Sequence, residues 1–188
     1  MRYPTEEEAV EILKKYRLPK EIVEHSKRVA EIGVKIAKQI KKAGHDVDVE
    51  AVRAAALLHD LGKWKYLHNK KEIGHMHSCE TGRLLAELGW PELGAVCEAH
   101  FGVTAKEAKQ FGLPNPHNMM PDSIEAKVLY IADKIRPDSR NLKQIIEVIN
   151  NSRKLELRYW KLCPGFKEKI IKDVTRIWYE LEKLGMKV

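Results

Sequence analysis

Cysteine is scarce in this chain. Cys79, Cys97 and Cys163 are odd in number, far apart and never form a C-x-x-C pair. A disulfide scaffold or a thiolate zinc knot is therefore excluded, and a reducing, cytoplasmic location is expected. No apolar run approaches the roughly 18–20 residues that span a bilayer, so no membrane partner is expected. The opening stretch Met1-Arg2-Tyr3-Pro4-Thr5-Glu6-Glu7-Glu8 is polar and acidic, unlike a secretory signal. Sustained period-2 alternation is missing, as are internal repeats, low-complexity tracts and linkers. These absences leave one all-α domain, with 188 residues and a 44% hydrophobic fraction to build its core. The formal charge of +7 admits a polyanionic partner, but a solvated Lys/Glu surface explains it equally, so nucleic acid is not required.

Helical signals follow one another along the chain. Thr5-Glu6-Glu7-Glu8 is a capping box opening a first helix to about Tyr16. Pro19 starts a long second helix with Ile22, His25, Val29, Ile32, Ile36 and Ile40 on one stripe, ending near Gly44. A third runs from about Asp48 through Val52, Ala55, Ala56 and His59, with Gly62 as its expected stop. From Lys63 to about Met76 the periodicity fails, predicting a basic, aromatic loop. Helix four is expected from about Ser78 to Leu88, and Pro91 opens a fifth ending near His100. Thr104 caps a short helix closed by Gly112, and a Pro/Asn-rich loop follows to Pro121. Ser123 heads a helix carrying Val128, Leu129, Ile131, Ala132 and Asp133. After Pro137 one helix is expected to about Arg153 and a last one from about Pro164, striped by Phe166, Ile170, Val174, Ile177, Trp178 and Leu181. This tail, with Trp160 and Trp178, is expected to pack on the bundle, a homodimer interface being the alternative.

His59-Asp60 closes an apolar helix at Ala54-Ala55-Ala56-Leu57-Leu58-His59-Asp60-Leu61-Gly62-Lys63. Burying such a pair is costly unless something binds it. His25 shares a face with Ile22, Val29 and Ile32, so it also points inward. His77, His100 and the inward Asp133 add three more groups near helix ends. Taken singly, each is most simply a satisfied core residue. Together they point to one shared cation centre. Imidazole and carboxylate suit borderline and hard divalent metals.

The order His25 … His59-Asp60 … Asp133 resembles the signature of the HD-domain superfamily of metal-dependent phosphohydrolases. Leu58-His59-Asp60-Leu61-Gly62-Lys63 is similar to the HDIGK motif of its HDIG subset. His77-Ser78-Cys79-Glu80-Thr81-Gly82, Glu98-Ala99-His100-Phe101-Gly102 and Tyr130-Ile131-Ala132-Asp133-Lys134-Ile135 continue the resemblance, which covers roughly Pro4 to Pro137. It implies a helical bundle with a core of about 4–137 and C-terminal helices of about 138–188 packed on it. His25, His59, Asp60 and Asp133 would hold one metal. His77 and His100 match HD proteins with two metals, Asp60 bridging. Gly74-His75-Met76-His77 offers two histidines; His77 fits the family register, leaving His75 on the substrate side. Residues 132–140 are similar to the ADxIEPxR stretch of the di-iron HD family that splits diadenosine tetraphosphate. Arg140 falls one position late and Arg136 replaces a glutamate, so that substrate is not carried over.

The resemblance implies two divalent ions, Fe or Mn first and Ni, Zn, Co or Mg as alternatives, with a metal-bound hydroxide cleaving a phosphoester or phosphoanhydride. Lys63 can reach the same mouth and neutralise a phosphate oxygen; complementing a helix dipole is its bland reading. Lys65, His68 and Lys70, with Trp64 and Tyr66, make the loop a candidate contact for a phosphorylated small molecule such as a nucleotide. Arg136 and Arg140 are further candidates. His45 and His117 read as surface residues. Two other readings are an HD-type mixed-valent di-iron oxygenase and a non-catalytic nucleotide-binding module.

Overall fold

The computed structural model describes residues 2–67, 73–113, 115–137, 139, 141–151 and 163–187, with the backbone alone for 73–75. Nine α-helices stand among the described residues: α1 (Glu6–Lys15), α2 (Lys20–Lys42), α3 (Val49–Leu58), α4 (Ile73–Glu87), α5 (Pro91–Glu98), α6 (Ala105–Gln110), α7 (Ile124–Lys134), α8 (Leu142–Asn151) and α9 (Phe166–Lys183). Short 3-10 helices cover Leu61–Tyr66 and Ala99–Phe101. An isolated antiparallel bridge joins Val103 to Met119.

The helix starts are written in local chemistry. Thr5 and Thr104 each complete a capping box, with Glu8 and Glu107 answering from the third helical position. Asp48 caps α3 through the amides of Glu50 and Ala51, and Ser123 caps α7 through Ala126.

α3 is the axle of the bundle. Its residues Ala51, Val52, Ala54, Ala55, Ala56, Leu57 and Leu58 are all buried, and only its outer edge, with the Glu50–Arg53 ion pair, is polar. The alanines let neighbours come close: α2 packs along α3, α5 and α7 also touch it, and Val52 sits 3.1 Å from where a Cβ on Gly33 would be. One apolar cluster gathers Leu13, Val29, Ala55, Leu58, Leu85 and Leu93; the other gathers Ile36, Ile40, Val128, Ile131, Ile145 and Val174. α2 and α7 feed both clusters. The stripe of α9 is buried as its spacing predicts, from Phe166 to Leu181, and locks the tail onto α7 and α8. Burial of side chains that size is worth about 1.5–3 kcal/mol each. Trp160 lies outside the described residues.

Two boundaries differ from expectation. α4 starts at Ile73, so His77 lies inside the helix rather than ahead of it. Gly62 is not a left-handed stop; it sits within the 3-10 helix, and α3 ends at Leu58 with His59 as its C-cap. The reason for the second difference is a contact: a Cβ on Gly62 would meet the backbone of His77 and Thr81. No helix among the described residues is long and apolar enough to cross a membrane.

Candidate metal centre

Five elements deliver the site. His25 comes from the second turn of α2, His59 and Asp60 from the end of α3, His77 from α4, His100 from the 3-10 turn after α5, and Asp133 from the last turn of α7. Helix ends suit this task because chain direction changes there, and side chains can converge without breaking a helix.

Asp60 stands at the centre. Its Oδ2 lies 3.7 Å from His25 Nε2 and 3.6 Å from His59 Nε2, while its Oδ1 lies 3.2 Å from His77 Nε2. His77 Nε2 in turn is 3.0 Å from His100 Nε2. On the opposite wall, Asp133 Oδ1 lies 3.1 Å from His25 Nε2 and 3.5 Å from His59 Nε2. Donors bonded to one ion at about 2.1 Å stand roughly 3 Å from each other. The observed separations match that spacing. Two groups meet the requirement of mutual proximity, His25/His59/Asp60 and Asp60/His77/His100, and Asp60 belongs to both.

Ring orientation supports a cation. His59 Nδ1 donates to the Ala56 carbonyl at 2.8 Å, and His100 Nδ1 to the Cys97 carbonyl at 2.5 Å. Each ring therefore turns an unprotonated Nε2 inward, the arrangement that backbone partners impose on ligating histidines. His59 Nε2 is buried and has no hydrogen-bond partner. A buried imidazole lone pair left over among carboxylates is what a divalent ion would satisfy. The donor set fits such an ion: neutral imidazoles and carboxylates, with no thiolate.

The local field agrees. Burial works against the charge on Asp60, but His59, His77 and Lys63 outweigh it and hold its carboxyl well below the usual range. Asp133 is likewise held low against burial by His25, His59 and Lys134. His59 is raised, its burial overcome by Asp60 and Asp133, so this pocket attracts positive charge. His100 is pushed down to about 3 by burial and by its neighbours His59 and His77, which keeps it neutral and able to ligate.

The model of the HD domain matches residues 22–138, the stretch that supplies all six groups. The chain belongs to the HD-domain family. An uncharacterised protein of Methanocaldococcus jannaschii is 33% identical over 168 residues, covering 88% of this chain and 92% of the relative. A tRNA (cytidine(56)-2′-O)-methyltransferase of Thermoplasma volcanium is 30% identical over 154 residues, covering 80% of this chain but 42% of that protein. This HD chain thus spans less than half the length of the methyltransferase. No solved structure matches.

The remaining expected residues separate. Lys63 reaches the centre, its ammonium paired with Asp60 Oδ2. Lys65 instead meets the buried Glu80 carboxylate at 3.0 Å, beside Arg83. Arg136 is exposed, three residues past Asp133, and faces a separate groove. His68, Lys70 and Arg140 lie outside the described residues, as does the side chain of His75. Tyr66 is buried, while Trp64 is partly exposed with its ring against Tyr16.

Three further residues support the six candidate ligands. Thr81 holds the HD turn to α4: its hydroxyl accepts from Gly62 N and lies 3.0 Å and 2.9 Å from the carbonyls of His59 and His77. Lys134 approaches Asp133 Oδ2 at 3.7 Å and the His100 carbonyl at 3.4 Å, under the Tyr130 ring. Arg28, one turn after His25, touches its Nδ1 at 3.0 Å. The i, i+3 spacing of His25 and Arg28 was the available signal for that contact.

Proposed function

We propose that this HD-domain chain is a metal-dependent phosphohydrolase with a binuclear centre, His25, His59, Asp60 and Asp133 holding one ion and Asp60, His77 and His100 the second. The observation that carries this reading is the division of Asp60, whose two oxygens face two different sets of imidazole nitrogens. A carboxylate so placed is a bridge. Iron or manganese fits the nitrogen–oxygen donor set best. Divalent ions in such a site supply Lewis acidity towards a phosphoryl oxygen and a nucleophilic water near neutral pH.

The chain's own groups then define the substrate side. Lys63 brings an ammonium to the open edge of Asp60, where an incoming phosphate oxygen gains a charge-assisted partner. Lys134 supports the far wall by pairing with Asp133 while its donor reaches the His100 carbonyl, positioning two ligands with one cation. The substrate class is a phosphorylated small molecule, a nucleotide or related metabolite. The methyl transfer named for the Thermoplasma relative belongs to a protein of which this chain matches 42%.

The test is phosphate release from a panel of nucleotides and phosphorylated metabolites, with metal-stripped protein reloaded with Mn²⁺ or, without oxygen, Fe²⁺. Turnover that requires the metal and disappears in Asp60→Asn supports the proposal. Tight nucleotide binding without turnover in any metal state overturns it in favour of a binding module. Oxygen-dependent consumption of an alcohol or phosphonate overturns it in favour of an oxygenase.

A further inference from the structure

A groove of about 420 Å³ runs between α2 and the segment that follows α7. Its floor is aliphatic, from Ile32, Ile36 and Ile135, and its rim carries Lys35, Arg136 and Lys187. No acidic residue lines it among the described residues. None of the three rim cations has a carboxylate partner among the described residues. Three cations with no described carboxylate partner, over an apolar floor, make a complementary surface for an organic anion.

The groove is a built feature of the fold. Its third cation comes from the far end of the chain, and a two-bond clasp fixes it there: Gln39 Nε2 donates to the Lys187 carbonyl and Lys187 N donates to Gln39 Oε1, both at 2.8 Å. Neighbouring Met186 is buried. The clasp uses only the backbone of Lys187, whose side chain makes no ion pair among the described residues.

The groove also lines up with the metal centre. At 3.6 residues per turn, Ile32 and Ile36 stand within about 20° of the line of His25 on α2. Arg28 and Lys35, seven residues apart, form a parallel cationic line beside it, Arg28 already touching His25. On the opposite side Arg136 follows Asp133 by three residues. From His25 to Lys35 the helix rises about 15 Å.

We propose that the Lys35/Arg136/Lys187 groove is a second phosphate subsite, and that the substrate is a short single-stranded oligonucleotide whose reacting phosphate lies at the metals. The direction of the substrate rests on the phosphohydrolase reading; the groove's affinity for a nucleotide chain does not. An oligonucleotide fits because both properties are needed. Phosphates answer the cations, and sugar and base edges answer the aliphatic floor, for which a run of directly linked phosphates offers nothing.

The test is anisotropy of a fluorescently labelled ribonucleotide trimer, pApApA, on the full chain stripped of metal with EDTA, so that binding is read without turnover. Wild type should bind with a log–log salt slope of about −1.4, two phosphates in the groove at about 0.7 each on a single strand. Lys35→Gln/Arg136→Gln/Lys187→Gln should weaken binding at least tenfold and flatten the slope. A control triple, Lys15→Gln/Lys106→Gln/Lys109→Gln, removes the same charge from exposed positions away from the groove and should change affinity less than twofold. Equal weakening by both triples, or none by the first, overturns the proposal. With metal restored, the groove triple should raise KM for the trimer while hydrolysis of p-nitrophenyl phosphate stays as in wild type. Trimer binding with no hydrolysis of either compound leaves the groove standing and the phosphohydrolase reading failed.

Discussion

Gly62 packs so tightly against His77 that a Cβ on it would stand 2.1 Å from the His77 carbonyl oxygen and 2.6 Å from the Thr81 amide nitrogen. Its backbone is not in the left-handed region, so the glycine is there for proximity rather than for conformation. The contact brings the turn carrying Asp60 against the helix carrying His77, and the approach of Asp60 Oδ1 to His77 Nε2 depends on it. Gly62→Ala should therefore cost about 1–3 kcal/mol as an overpacking change. At roughly 2–4 °C per kcal/mol for a chain of this size, Tm falls by about 2–12 °C. Metal content should drop with it, read by elemental analysis of the folded fraction. A variant with unchanged Tm and full metal content would show the contact to be dispensable.

Thr81 makes the polar half of the same junction. Its hydroxyl accepts from Gly62 N at 2.8 Å and lies within donating distance of the His59 and His77 carbonyls. Thr81→Val keeps the shape but leaves the Gly62 amide buried and unpaired, at a cost of about 1–3 kcal/mol. Thr81→Ser keeps the hydroxyl and should recover most of the loss. Thermal melts of the metal-free variants separate the two. A Val variant as stable as wild type beside a destabilised Ser variant would assign the effect to the methyl contact instead.

Helix capping and apolar spacing made most of this bundle legible in the sequence. The capping boxes at Thr5 and Thr104, the stripe of α9 and the inward faces of His25 and His59 all follow from local periodicity, and the structure has them. What stayed hidden depends on contacts between distant segments. The start of α4 at Ile73 was masked by a mixed, basic stretch with no apolar stripe. The partner of Lys65 is Glu80, fifteen residues on, and no spacing rule connects them. The Val103–Met119 bridge joins two loops through backbone atoms that leave no side-chain signature. Lys187 reaches the groove only because Gln39 holds it there, and that pairing spans nearly the whole chain.

His117, read from sequence as a surface residue, is tied down on both nitrogens. Nδ1 meets the Asn115 carbonyl at 2.8 Å and Nε2 meets Glu98 Oε2 at 2.9 Å. Two acceptors favour the imidazolium, and the Asn115 carbonyl and the Glu98 carboxylate raise its pKa against partial burial. Burial also raises Glu98, with His117 opposing. A histidine raised on folding contributes stability that is full below its unfolded value near 6.5 and is lost as pH climbs through the folded value. The pair also needs an ionised Glu98, so its contribution fades on the acid side as that carboxyl takes up a proton. For a half-exposed pair the size is at most about 1 kcal/mol. His117→Asn should thus lower Tm by about 2–4 °C near pH 6, with the gap to wild type closing as pH rises above neutrality. A gap that widens towards alkaline pH would contradict the assignment.

The division of Asp60 between two sets of histidines gives the binuclear reading a quantitative consequence. If Asp60 bridges, the ligand variants must differ in stoichiometry and not merely in affinity. His100→Ala removes a nitrogen that only the second ion would use, and should lower bound metal from two ions per chain to about one. His25→Ala should do the same for the first ion. Asp60→Asn weakens both, since an amide carries no charge and its nitrogen donates where a ligand must accept. Stability should track the count. Ions that bind only the folded chain stabilise it by about 2.7 kcal/mol at 100 times Kd, or roughly 5–11 °C in Tm. That increment is per ion, so chelation should take about two from wild type, one from His100→Ala, and almost none from Asp60→Asn. Elemental analysis and melts with and without EDTA measure both quantities on the same samples. Should His77→Ala and His100→Ala each retain wild-type metal content and activity, Asp60 is no bridge and a one-metal centre of His25, His59, Asp60 and Asp133 takes its place.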